Sequence, residues 1–139
     1  MTKNIILISL GLLMIICPKL SAQSSTMEVR VTNIKELQGN LMIAIYDSKE
    51  TFTSMDVVSS AKVKVEDEEQ TVAFENIAYG EYDVILYHDV NSNGELDTNF
   101  FKIPSEPYGF SNGSGFLGIP SYVKSKFDFD GDAVEISLN

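Results

Sequence analysis

The sequence predicts an all-β fold, an antiparallel β-sandwich of seven or eight strands. Three observations predict it. Apolar residues recur with a period of two along most of the chain beyond residue 26. Turns containing Gly, Asn or Asp punctuate these runs at short intervals. The 139 residues suit one domain, and no repeat or linker divides them.

Met27, Val29 and Val31 alternate with Glu28, Arg30 and Thr32, the pattern of a half-buried first strand. Residues 41–46 are apolar on both faces, which predicts a central strand covered on both sides. Residues 49–58 are the one stretch that reads as helix, short and irregular. Val63 and Val65 alternate with Lys62 and Lys64, and Val72 and Phe74 mark the following strand. Between them, Glu66, Asp67, Glu68 and Glu69 read as a solvated hairpin tip. Tyr79 and Gly80 lead into a longer strand with Tyr82, Val84 and Leu86 on one face, ending near His88. Residues 100–103 add a short strand. Phe127 and Phe129 form the penultimate strand, and Val134, Ile136 and Leu138 the last. Asp130 and Gly131 between these two predict a tight hairpin, because Gly accepts positive φ.

The first residues read as an address. Lys3 is the only charge before a run of apolar or small residues over positions 5–17. Thirteen residues match the apolar core of a signal peptide and fall short of a bilayer span. Pro18 stops the helix, and Ala22 offers a small residue for cleavage. The expectation is a signal peptide over residues 1–22 and a single β-sandwich domain over residues 23–139. The protein is then exported to the periplasm or the extracellular space, with no transmembrane helix in the mature chain. A lipid on Cys17 is the minor alternative, since Ile16 is larger than a lipoprotein signal requires. Cleavage after Ala22 removes two lysines, the only Cys and no acid. It leaves 117 residues with a net charge of −12 in place of −10, close to the size of an immunoglobulin-like sandwich.

Composition excludes several classes of function. Twenty acidic residues against ten basic ones leave no clustered cations for a nucleic acid backbone. One Cys excludes a disulfide framework, and one His excludes multi-His metal sites.

The chemistry concentrates beyond residue 88. Asp89, Asn91, Asn93 and Asp97 place oxygen side chains at positions 1, 3, 5 and 9 of a loop. Gly94 stands at position 6, where a calcium loop turns sharply, and Glu95 offers its backbone carbonyl at position 7. Hard oxygens at this spacing suit Ca²⁺ better than Mg²⁺, which keeps its waters. Position 12 is Phe100 rather than Glu, so water or a carboxylate such as Glu106 must complete the shell. Two ligand charges predict weak affinity, with Kd of roughly 10⁻⁴ to 10⁻³ M. The other reading is a polar turn that needs no metal.

His88 beside Asp89 invites a catalytic reading, a small envelope hydrolase using the His and nearby carboxylates. In a strand, however, neighbouring side chains face opposite ways. No Ser in a nucleophile-elbow motif accompanies the pair. Residues 104–120 follow with three of the four Pro and four of the nine Gly. Long loops of this kind are usually functional. Glu106, Tyr108, Phe110 and Phe116 would contact a glycan or an envelope protein through this loop, or the rings would fold back and cap the sandwich.

Three stretches carry a resemblance. They are residues 39–47, the run F-E-N-I-A-Y-G-E-Y over 74–82, and H-D-V-N-S-N-G-E-L-D-T-N over 88–99 followed by I-P-S-E-P-Y-G-F-S over 103–111. The chain resembles the secreted bacterial family called domain of unknown function 2141 over about residues 27–138, with Lys102 where a Gly is expected. The F-x-x-I-x-x-G-x-Y stretch is also similar to transthyretin-like and carboxypeptidase-regulatory-like sandwiches, at the level of fold. The family resemblance implies that Asp89, Asn91, Asn93, Asp97, Glu106, Tyr108 and Phe110 share one neighbourhood. It implies no activity. The leading expectation is an exported, non-enzymatic sandwich with a calcium loop beside a partner-binding loop. A purely structural domain is the remaining reading, with its acidic surface serving solubility.

Overall fold

A computed structural model describes residues 22–113 and 118–139. The leader expected over residues 1–22 lies outside them except for Ala22, and so do Cys17 and Phe116. In order, the described elements are β1 (Ser24–Thr32), β2 (Asn40–Tyr46), α1 (Lys49–Ser54), β3 (Ser59–Lys64), β4 (Gln70–Ala78) and β5 (Gly80–Asp89). Then come β6 (Tyr108–Phe110), α2 (Tyr122–Ser125), β7 (Phe127–Phe129) and β8 (Val134–Ser137). One sheet runs β4-β1-β8. The other runs β3-β2-β5-β6, and β7 shares with β6 the same edge of β5. The fold is the expected all-β sandwich.

The period-two pattern builds the core. Met27, Val29 and Val31 of β1 join Leu41, Ile43 and Ile45 of β2, Val84 and Leu86 of β5, and Ile136 of β8 in one buried cluster. Each such side chain contributes about 1.5–3 kcal/mol when removed from water. A bulge in β4 preserves the pattern. Met27 pairs with Phe74 but Ser25 pairs with Ile77, so β4 carries one extra residue there. Asn76 takes it up at φ +60°, and Ile77 returns to the core. Helix α1 starts where Ser48 Oγ accepts the Thr51 amide and Thr51 Oγ1 accepts the Ser48 amide, both at 3.1 Å. It ends at Met55, whose φ is +58°.

Several expectations are corrected. β1 and β8 run parallel, so one sheet is mixed. The acidic turn over 66–69 joins β3 of one sheet to β4 of the other, and the Asp130-Gly131 turn joins β7 to β8 across sheets. Neither is a hairpin. Turn residues fix local φ (Gly131 sits at +109°) but not which sheet edge receives the next strand. Residues 100–103 form a turn closed by a bridge between Thr98 and Pro104, while a strand forms instead at Tyr108–Phe110. Strand β2 is covered by the core on one face only. Met42 and Ala44 on its other face are half-buried.

Candidate metal centre

The site grows from the end of β5. Asp89 pairs with Asn40 of β2. The preceding Gly39 has φ +72°, and a Cβ there would collide with the Asp89 carbonyl oxygen and lie 2.8 Å from Val90 Cα. Backbone therefore packs on backbone where the loop begins.

From there the loop folds on its own side chains. The fully buried Asp89 accepts the Asn93 amide on Oδ1 and the Gly94 amide on Oδ2, both at 3.0 Å. Asn91 Oδ1 accepts the Asn93 amide at 3.0 Å, and Asn93 Oδ1 accepts the Glu95 amide at 2.8 Å. Such turns are the local habit of Asp and Asn. Ser92 at φ +60° and Gly94 at φ +83° supply the bend. Glu95 follows, exposed, at the seventh position.

The ninth position closes the group. Asp97 Oδ2 accepts Asn91 Nδ2 at 2.6 Å, and Asn93 Nδ2 donates to Asp97 Oδ1 at 3.1 Å and Oδ2 at 3.2 Å. Asp89, Asn91, Asn93 and Asp97 thus form one hydrogen-bonded cluster. Their oxygens are hard donors, and an oxygen that accepts one amide keeps a second lone pair. The set suits a hard cation with water completing the shell. Among the described residues no group of three or more His, Cys, Asp and Glu side chains could hold a metal.

Glu106 is the carboxylate expected to complete the shell. Its buried carboxylate accepts the Val90 amide on Oε1 at 3.0 Å and the Asp97 amide on Oε2 at 3.1 Å. It braces both ends of the loop. The charges reach Tyr87, whose Oη donates to the Gly94 carbonyl at 3.2 Å. Burial, and then the negative charges of Asp89, Glu106 and Glu95, push its phenol above the ordinary 10.0.

His88 points the other way, into the interior, and is fully buried. Its Nε2 lies 2.6 Å from the Gln38 carbonyl. A carbonyl only accepts, so Nε2 carries the proton, and the buried Nδ1 has no partner among the described residues. Its ring offers no exposed atom to a substrate.

Tyr108 and Phe110 are also buried, edge to face with centroids 5.5 Å apart. Their pairing with Tyr87 and Ile85 of β5 places them on the outer face of the larger sheet, outside the core cluster. The exposed aromatics are others. Phe100 is 94% exposed and Phe101 78%, with ring centroids 5.5 Å apart. Asn99 holds this tip, its Oδ1 accepting the Phe101 amide at 2.9 Å and the Ile103 amide at 3.1 Å. Sequence reading missed the pair by taking residues 100–103 as a strand. The usable signal was Asn99, a turn residue directly before two bulky rings.

The loop, its Glu106 brace and the strands that carry them all lie inside one family match. The family described as "Uncharacterized protein conserved in bacteria (DUF2141)" matches residues 29–137, well over half of the chain. The chain belongs to this family. That is the family its motifs resemble. Neither the curated proteins nor the solved structures hold a match to the chain. The DUF2141 match runs from within β1 to the end of β8 and covers every member of the cluster, so the loop belongs to the domain rather than to an appendage. Among the described residues of this DUF2141 chain, no helix is long and apolar enough to cross a membrane.

Proposed function

We propose that this protein is an exported, non-enzymatic domain whose 89–97 loop binds Ca²⁺ and fixes a neighbouring aromatic tip for contact with a protein of the cell envelope. The observation that carries this reading is the hydrogen-bonded cluster of Asp89, Asn91, Asn93 and Asp97 around Gly94. Four oxygen-bearing side chains at calcium-loop spacing meet on one short segment. Bound Ca²⁺ would replace the amide donors now facing Asp97 and draw the ninth position toward the first. Glu106 ties that movement to the chain beyond residue 97. Phe100 and Phe101 stand three and four residues after Asp97, and exposed aromatic pairs are the usual anchors of protein interfaces. The burial of His88 favours this reading over a hydrolase.

Calorimetric titration with Ca²⁺, repeated with Asp89→Ala and Asp97→Ala, tests it. Millimolar-range binding in the parent and none in either variant is expected. Absence of calcium-dependent heat, together with an unchanged melting temperature between calcium and chelator, would sink the cation reading. For the tip, Phe100→Ser with Phe101→Ser should abolish calcium-dependent retention of an envelope protein. Retention of a glycan instead would reassign the partner.

A further inference from the structure

The outer face of the larger sheet carries an apolar groove. In a sandwich this face is ordinarily polar. Here Met42 and Ala44 of β2 and Ile85 of β5 form the floor of an apolar groove of about 380 Å³, within the range of small-molecule pockets. Met42 pairs with Tyr87 and Ala44 with Ile85, so the floor runs along the strands for about 13 Å between Met42 and Tyr46. Met55 stands at one end, where Tyr46 Oη donates to its sulfur at 3.7 Å. Leu96 is also in the lining, and Tyr87 bonds the neighbouring Gly94 carbonyl. Small Ala44 gives the groove depth, and two flexible Met side chains let its walls adapt. The one charge on its lining is Lys62 of edge strand β3. Lys62 is exposed, and among the described residues it makes no ion pair, although the chain carries net charge −10.

We propose that this groove binds the aliphatic chain of an anionic single-chain amphiphile, with Lys62 meeting its head group. A narrow apolar trough fits an unbranched chain, and a lone cation at the rim fits one negative charge. The proposal goes beyond the cation reading and does not depend on it.

The test is a titration of the purified protein, labelled at its methionine methyls, with decanoate and separately with decanol, followed by NMR. Decanoate should shift Met42 and Met55 and leave Met27, fully buried in the core, unmoved. Decanoate should bind about two- to fivefold tighter than decanol at low salt, the worth of an exposed charge pair. Lys62→Glu should remove that preference, and Ala44→Trp should fill the groove and abolish binding. No shift at Met42 and Met55, or equal shifts at Met27, would overturn the proposal in the parent protein without reliance on any variant. So would concentration-dependent self-association that decanoate does not compete, which would assign the face to a second copy of the chain.

Discussion

The Glu106 carboxylate accepts the Asp97 amide at 3.1 Å while its other oxygen accepts the Val90 amide at 3.0 Å. One buried side chain therefore spans the loop from its second residue to its ninth. Glu106→Gln keeps the shape but turns an NH₂ donor toward one of two N–H donors. The variant should lose about 1–3 kcal/mol of stability, the cost of a buried amide left without an acceptor. Chemical denaturation measures the loss. Under the calcium reading, its affinity for Ca²⁺ should also fall, although no ligand has been changed.

Gly39 carries two independent constraints. Its φ of +72° disfavours any side chain, and a Cβ would strike the backbone of Asp89. Gly39→Ala should therefore destabilise by more than the roughly 1 kcal/mol expected of positive φ alone. The Met42 and Ala44 side of β2 should be perturbed less than the Asp89 end. Hydrogen exchange would show it as faster exchange at the amides of Asn93 and Gly94, which Asp89 holds. A variant matching the parent in both respects would remove the close approach as an explanation.

Much of this fold was legible because period-two alternation is a direct record of which face is buried. Met27, Val29 and Val31, or Val134 and Ile136, leave no choice of face. What was not legible was the partner of each strand. Asp130-Gly131 and the acidic 66–69 segment look like hairpin turns because turn chemistry is local, yet each carries the chain to the other sheet. In the loop, spacing alone grouped Asp89, Asn91, Asn93 and Asp97, whose side chains are hydrogen-bonded within it. Glu106 was read as a metal ligand or contact residue, since nothing in sequence distinguishes a carboxylate that binds outward from one that caps amides inward. The exposed Phe100 and Phe101 pair was missed for a similar reason. Tyr108 and Phe110 alternate through Gly109, a weak strand signal inside a Pro- and Gly-rich segment, while Phe100 and Phe101 are adjacent and cannot both face a core from one strand.

Asp83 is a fully buried carboxylate, held by Ser125 Oγ at 2.8 Å and Ser111 Oγ at 3.2 Å. Burial pushes its carboxyl above the ordinary 3.8, and the two serine hydrogen bonds only partly oppose it. The folded state therefore holds this proton to higher pH than the unfolded chain does. The stability linked to Asp83 is fully present below 3.8 and is lost as pH rises through the raised native value. Asp83→Asn should abolish that decline. Its melting temperature should exceed that of the parent at neutral pH, and the advantage should vanish below 3.8. Parallel melting-temperature profiles across that range would show that Asp83 does not carry the effect.

Tyr87 provides a reporter for the cation that needs no change to the loop. Its phenol lies above 10.0 because burial and three negative neighbours, Asp89, Glu106 and Glu95, disfavour the phenolate. A divalent cation held by Asp89 and Asp97 places positive charge beside the same ring, which favours the ionised form. Saturating Ca²⁺ should therefore move the Tyr87 titration downward, and the shift should be absent in Asp97→Ala. Ultraviolet absorbance of the phenolate, taken as the difference between the parent and Tyr87→Phe, isolates this one tyrosine. Ionic strength alone also weakens the pull of the neighbouring acids, so an equal ionic strength of NaCl is the necessary reference. A site-bound cation produces a further shift on top of that screening. If Ca²⁺ and NaCl moved the titration equally, the 89–97 loop would be a self-bonded polar turn. Its two carboxylates would then serve the backbone amides rather than a metal.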